Sequence, residues 1–209
     1  MTCLIGKREF DFCFHSAGLN WAALQSDYEQ DDLTKIQLLN DRQAFDRFLK
    51  GYGLARHSLN EKNESESRNK KYATRDEWFN YISKIIPLII SDSRYDSIDD
   101  AAISAEAPYK LSISCLSKVC AIVAPDRFVA YDKFASKGLA AWDGKPKAST
   151  YSDYMLRIFD CWSSNVGSFI RDEMSRRTLP LSRGLPDTAF GFRVLDNYLM
   201  LRGGRWVLH

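Results

Sequence analysis

From residue 74 onward the sequence is punctuated for a series of short helices. "TRDEWFNYISKII" (74–86) opens with a capping box, in which Thr74 accepts from the backbone three residues on and Glu77 reaches back. Pro87 follows, and a proline there is expected to end or kink the helix. "SIDDAAISAEA" (97–107) reads as a second helix with Ser97 as cap and Pro108 as stop. "SISCLSKVCAIVA" (112–124) is a third, stopped by Pro125, and "DKFASKGLAAW" (132–142) is a fourth with Asp132 at the N-cap. "STYSDYMLRIFDCWSSNVGSFIRDEMSRR" (149–177) is one long helix or two. "PDTAFGFRVLDNYLMLRGG" (186–204) is the last, with Pro186 near its start and Gly203 at its end. The fold class expected is therefore mainly α.

The first third is less regular. "LNDRQAFDRFLKGYGL" (39–54) reads as a helix, because Leu38, Leu39, Phe45, Phe48 and Leu49 recur at helical spacing and Gly51 or Gly53 can end it. "RHSLNEKNESESRNKK" (56–71) has almost no apolar residues and reads as an exposed, mobile loop. A short β element is expected only near "CLIGKREFDFCFH", where polar and apolar residues partly alternate. No internal repeat is visible. The organisation expected is a single unit over 1–209, two-lobed around one core, with an N-terminal part (1–55), a polar loop (56–73) and a helical core (74–204).

Composition narrows the class. The 209 residues are 45% hydrophobic and 27% charged, as in an ordinary globular protein with one sizeable core. A net charge of +2 excludes little, since a nucleic-acid enzyme needs a local basic face and not a basic average. Five cysteines without a CxxC, and only three histidines, fit neither zinc-ribbon nor iron–sulfur spacing, so no metal and no cofactor is expected. Reduced thiols in the cytoplasm are the expected state. The N-terminus lacks a long apolar run before its charges, which argues against a signal peptide, and "IIPLII" (85–90) is too short to span a bilayer. GxSxG, GxxxxGK[ST] and HExxH are all absent. Asp31–Asp32 and Asp99–Asp100 read as a solvated turn and the first turn of a helix.

The stretch "SKVCAIVAPDRFVAYDK" (117–133) is the most specific part of the chain. A lysine inside a short helix is followed by a Pro-Asp-Arg-Phe turn, an extended apolar run and an aspartate at the start of the next helix. That order resembles the catalytic segment of the helix-hairpin-helix DNA glycosylases, and above all their 8-oxoguanine-glycosylase-like branch and its compact bacterial members. "FRVLDNYLMLRGG" resembles the closing helix of such proteins. Where the family has a Gly-x-Gly hairpin before its lysine, this chain has "KLSISCLSK". The resemblance spans roughly residues 74 to 204, with about twenty specific positions.

The resemblance implies a DNA glycosylase, with lyase chemistry open to it, in base-excision repair or anti-phage defence. Lys118 would be the nucleophile and Asp132 the activating carboxylate. A neutral lysine amine can attack the sugar C1′ once a desolvated site has lowered its proton affinity. The carboxylate would stabilise the cationic sugar. The target base must first leave the stack, and Phe128, Tyr131, Phe134 and Trp142 are the candidate walls of its pocket. Arg127, Lys133, Lys137, Lys145, Lys147, Arg202 and Arg205 are the candidate DNA contacts. Four lysines fall in 133–147 against Asp143 alone, and seven arginines in 171–205 against four acids. The expected partner is double-stranded DNA carrying an altered base, with no membrane and the protein a monomer.

Each residue also has a plainer reading at this level. On it Asp132 caps its helix and nothing more, Lys118 is a solvated amine off the apolar stripe, the aromatics are core, and Arg127 pairs with Asp126 or Asp132. The competing functional classes are a nucleic-acid-binding or interaction module of the same fold without the chemistry, and an unrelated helical defence or toxin-like protein.

Overall fold

The computed structural model describes residues 5–26, 39–51, 74–107, 113–177 and 187–208. They form helices α1 (Lys7–Ser26), α2 (Arg42–Gly51), α3 (Arg75–Ser91), α4 (Asp96–Ile103), α5 (Ile113–Val123), α6 (Lys133–Asp143), α7 (Tyr151–Ser163), α8 (Asn165–Ser175) and α9 (Asp187–Arg202), with no β-strand among the described residues. The protein is mainly α, as the sequence indicated. The polar stretch 56–71 lies outside the described residues.

Some local expectations are corrected, and some that the sequence left open are decided. The segment read as a short β element is helical in α1, because Phe10, Cys13, Phe14 and Ala17 share one face and are all buried. That spacing of three and four outweighs a partial alternation. Pro87 does not end its helix: α3 runs through it to Ser91, with the proline on an exposed position. The stop comes at Asp92, whose N–H donates to the Leu88 carbonyl. Ser97 is not a cap; it sits inside α4 and donates to the Arg94 carbonyl at 2.8 Å. The stretch 149–177 is two helices, broken where the Ser164 hydroxyl donates to the Cys161 carbonyl at 2.6 Å and accepts from the Val166 N–H at 3.2 Å.

The capping box at α3 is present as expected, with Glu77 N–H on the Thr74 hydroxyl and Thr74 N–H on the Glu77 carboxylate. Asp99 does more than occupy a first turn. From α4 it accepts the N–H groups of Tyr151 (2.7 Å) and Ser152 (3.0 Å), so it caps α7 from a distant part of the chain.

Helix α9 is the centre of the molecule. Every residue from Ala189 to Met200 except Arg193 is buried, the pattern of a helix covered on all sides. It packs most intimately on α6 and also on α1. Glycine permits the closest approach: a Cβ at Gly138 would lie 2.0 Å from the Leu199 carbonyl oxygen, and one at Gly203 would lie 1.9 Å from that of Phe134. These two contacts set α6 and α9 antiparallel, with the start of α6 beside the end of α9.

A buried ion pair ties α6 to α7. Arg157 donates to Asp143 through Nε (2.8 Å) and Nη2 (2.9 Å), and to the Pro146 carbonyl at 2.7 Å. The two side chains are only 4% and 10% exposed. Asp143, the one acid read as opposing the lysines of 133–147, is therefore spent on Arg157 and leaves those lysines unopposed within that window.

Candidate active site

The link between α5 and α6 is the foundation of the site. Residues 128–130 are buried and non-helical, so their backbone groups need partners from elsewhere. Side-chain hydroxyls of α7 and α5 supply them. Tyr151 Oη donates to the Val129 carbonyl at 2.8 Å, and Tyr154 Oη to that of Ala130 at 3.3 Å. Ser117 Oγ accepts the Tyr131 N–H at 2.9 Å, and Ser114 Oγ donates to the Tyr131 carbonyl at 3.1 Å. The strand-like run is thus held on both sides, and its last residue, Asp132, is delivered to a fixed place.

Asp132 caps α6 as expected. Its backbone is extended (φ −128°, ψ 141°) and Oδ1 accepts the Phe134 N–H at 2.7 Å. The other oxygen faces the Arg205 guanidinium at 3.6 Å, and the carboxylate is 18% exposed. The cap therefore uses one oxygen and leaves the second for a charge partner.

Lys118 lies one turn beyond Ser114 on α5 and is half-buried. Its amine donates to Ser114 Oγ at 2.8 Å. Burial pushes its proton affinity below the ordinary lysine value; the carboxylates of Asp132 and Asp196 pull it back up, and Arg205 pushes it down. The two residues singled out from the sequence are thus brought into one electrostatic cluster, bridged by Ser114 and the Tyr131 backbone.

Asp196 is the member that sequence reasoning missed. It sits mid-way along α9, is 5% exposed, and accepts from Tyr154 Oη at 3.4 Å. Burial raises its pKa to about 7, with Asp132 adding to the rise and Arg193 and Lys118 opposing it. A signal was present: "RVLDNYLML" places an acid inside a run of large apolar residues, and a charged residue there needs a reason.

The other candidates separate into groups. Phe128 is 2% exposed, its ring 6.4 Å from that of Tyr151, and it belongs to the core; it forms no wall open to solvent. Tyr131 is half-buried, with its ring 5.0 Å from Tyr154 and its hydroxyl donating to the Ala148 carbonyl. Trp142 is half-buried against the core. Phe134 is half-buried at the start of α6, with the Lys133 and Lys137 amines 5.1 and 5.3 Å from its ring centre. Lys133, Lys137, Lys145, Lys147, Arg202 and Arg205 are exposed. Arg127 points elsewhere: it donates to the Ile90 carbonyl in the last turn of α3, and lies over the Phe128 ring. It completes the end of a helix, and its partner is neither Asp126 nor Asp132.

Beside the cluster is a cavity of about 430 Å³, lined by Arg8, Glu9, Leu201, Arg202, Trp206 and two residues of the C-terminal tail. Arg205 stands between the two places, 3.6 Å from Asp132 and 5.0 Å from the Trp206 ring centre. The volume is within the range of small-molecule sites, roughly 300–1,000 Å³. No sequence motif marked it, because it is assembled from the first turn of α1 and the end of α9.

Among the described residues no group of histidine, cysteine and carboxylate side chains is placed to hold a metal ion, and no helix is long and apolar enough to cross a membrane. The four described cysteines are all buried as free thiols, and burial pushes Cys13 and Cys115 up to about 12, so neither is a nucleophile at neutral pH. The chain matches no family model, no curated protein and no solved structure.

Proposed function

We propose that the protein is a DNA glycosylase that removes an altered base through Lys118, with Asp132 as the carboxylate that steadies the sugar cation. The observation that carries the reading is the half-buried amine of Lys118, held on Ser114 Oγ at 2.8 Å, its proton affinity lowered by burial against the pull of the Asp132 and Asp196 carboxylates. Attack on C1′ needs the neutral amine, and burial moves Lys118 in that direction. The nitrogen lone pair forms the N–C1′ bond as the C1′–base bond breaks, and the bonding pair leaves with the base. The nitrogen then loses a proton to water and the C1′–O4′ bond breaks, its pair leaving on O4′, which gives the imine of the opened sugar. Removal of a C2′ proton by water then expels the 3′ phosphate with its bonding pair, the lyase step.

Two further features support the reading. Asp132 keeps one oxygen free of capping, which is what a carboxylate with a second role requires. Lys133, Lys137, Arg202 and Arg205 are exposed around the meeting of α6 and α9, where they suit a phosphate backbone. The open depression walled by Trp206 and Arg202 is the candidate place for a displaced base, since Phe128 is sealed in the core. On this reading the protein works as a cytoplasmic monomer on double-stranded DNA.

The test is borohydride trapping on duplexes carrying a panel of altered bases. A covalent protein–DNA complex that is lost in Lys118→Gln supports the proposal. Salt-sensitive duplex binding with no complex on any member of the panel would instead favour the competing reading, a binding module of the same architecture without the chemistry.

A further inference from the structure

The amine of Lys118 is held by a hydroxyl that can act on it in one sense only. Ser114 stands in the first turn of α5, and its spacing of four from Lys118 puts the two side chains on one face of the helix. Its Oγ makes two hydrogen bonds. It donates to the Tyr131 carbonyl at 3.1 Å and accepts from Lys118 Nζ at 2.8 Å. A hydroxyl has one proton to give, and a carbonyl has none. With that proton engaged by Tyr131, Ser114 meets the lysine only through its lone pairs.

The direction of that bond matters once the amine is neutral. A neutral amine carries two N–H bonds and one lone pair, and the lone pair is what attacks carbon. A serine with its proton disengaged would donate to the lone pair and mask it. Ser114 takes up an N–H instead and turns the lone pair away from itself. The same hydroxyl sets the amine against the carboxylate. The Tyr131 carbonyl belongs to the peptide bond that leads into Asp132, and the Tyr131 N–H is gripped from the other side by Ser117 Oγ at 2.9 Å. Ser117 Oγ donates in turn to the Ser114 carbonyl at 3.3 Å. Asp132 is pinned by its own cap on the Phe134 N–H at 2.7 Å. Two hydrogen bonds and one peptide bond thus connect the Lys118 nitrogen to the backbone of Asp132. A flexible four-carbon stem that is only half-buried needs such a tether to be aimed.

We propose that Ser114 is the positioning residue of Lys118: an obligate hydrogen-bond acceptor that aims the amine and ties it to the Tyr131–Asp132 peptide. The inference rests on the assignment of Lys118 as a nucleophile. In this role Ser114 acts through the lysine nitrogen and not on the substrate. What it supplies is orientation, and a misplacement of about 1 Å can slow a reaction on the order of 100-fold. It has a second effect of opposite sign. An accepting oxygen favours the charged form, so Ser114 also holds Lys118 toward ammonium. The charged and titratable groups that bear on the same nitrogen are Asp132 at the head of α6, Asp196 on α9, Cys115 on α5 itself and Arg205 beyond the end of α9. Ser114 adds a direct hydrogen bond to their field.

The experiment has two arms, both on the full chain. In the first, without DNA, the protein is treated with formaldehyde and cyanoborohydride over a range of pH, and methylation of Lys118 is followed by peptide mass mapping. Ser114→Ala removes the acceptor, so half-maximal labelling should move to lower pH, by roughly 0.5–1 unit. Ser114→Thr keeps the hydroxyl and should keep the parent curve. Ser114→Cys, close in size but a weak acceptor, carries the test if Ser114→Ala does not fold. Coincident curves for the parent and the variant lacking the hydroxyl would overturn the proposal. So would a shift to higher pH, which marks a lysine released to water by a loosened link. The second arm is single-turnover borohydride trapping on the duplex that the parent traps best. Ser114→Ala should form the complex about 10–100-fold more slowly, with the duplex Kd within about twofold, and Ser114→Thr should restore the rate. More neutral amine with slower attack is a combination that a merely structural serine does not give. A parent-like rate in Ser114→Ala, or a loss that Ser114→Thr fails to restore, would overturn the positioning role. Shifted labelling without a trapped complex on any duplex, the parent included, would leave the hold of Ser114 on the amine standing and remove the glycosylase reading.

Discussion

Gly138 on α6 and Leu199 on α9 meet backbone to backbone, so closely that a Cβ at Gly138 would fall 2.0 Å from the Leu199 carbonyl oxygen. No flexible side chain can yield there; the helices themselves must separate. Gly138→Ala is therefore expected to destabilise by about 1–3 kcal/mol or more, as overpacking does. For a chain of this size the melting temperature should fall by roughly 2–12 °C. An unchanged melting curve would show that the helices are not in this contact.

Asp132 separates its two roles by oxygen atom. Asp132→Asn keeps an oxygen for the Phe134 N–H and so keeps the cap, since Asn and Asp cap about equally well. It removes the charge facing Arg205. Base release should fall sharply while the melting temperature barely moves. Asp132→Ala loses both, with a stability cost of about 1 kcal/mol for the missing cap. Full activity in Asp132→Asn would reduce the residue to a cap.

Asp196 makes stability depend on pH in a definite direction. Its folded value, about 7, is above its value in an unfolded chain. Between the two, the folded state binds more protons, so stability falls as pH rises through that window and levels off above about 7. The loss is at most about 4 kcal/mol, from the size of the shift. Asp196→Asn should melt higher than the parent above neutrality and level with it near the unfolded carboxylate value, about 4. Lys118 slopes the other way: its lowered value means stability rises with pH as that range is approached from below. Parallel pH–melting curves for parent and Asp196→Asn would contradict the burial of Asp196.

Arg157 and Asp143 form a buried pair, 4% and 10% exposed, with the arginine Nη1 also donating to the Pro146 carbonyl and to Asp153. Arg157→Ala leaves Asp143 inside the protein without its counter-charge. A loss of about 3–5 kcal/mol is expected in chemical denaturation. A loss below about 1 kcal/mol, the level of a surface pair, would contradict the burial.

The exposed cations make a separate claim about DNA. Lys133→Gln, Lys137→Gln and Arg202→Gln should each reduce the slope of log affinity against log salt by about one, with no change in base preference. Arg205 differs from them, because it also faces Asp132; Arg205→Gln should lower both the slope and the rate of base release. Salt-independent binding to duplex DNA would remove these residues from the interface.

What the sequence determined by itself is local. Spacing of apolar residues placed the helices from α2 to α9 to within a few residues, and two caps, Thr74 with Glu77 and Asp132, were legible because capping is a matter of three or four neighbouring positions. It also named Lys118 and Asp132. What only the tertiary structure decided is how distant groups meet. Pro87 stays inside α3, although a proline there costs a backbone hydrogen bond, because Ile82, Ile86 and Ile89 on both sides of it are buried in the core and hold the helix on. Asp99 caps a helix some fifty residues away, and Arg127 closes the end of α3, each through a bond that no local pattern encodes. Asp196 read as one acid in an apolar helix until α9 was set against α5, α6 and α7. Its significance comes from desolvation and from the charges around it, and both are properties of the assembled core.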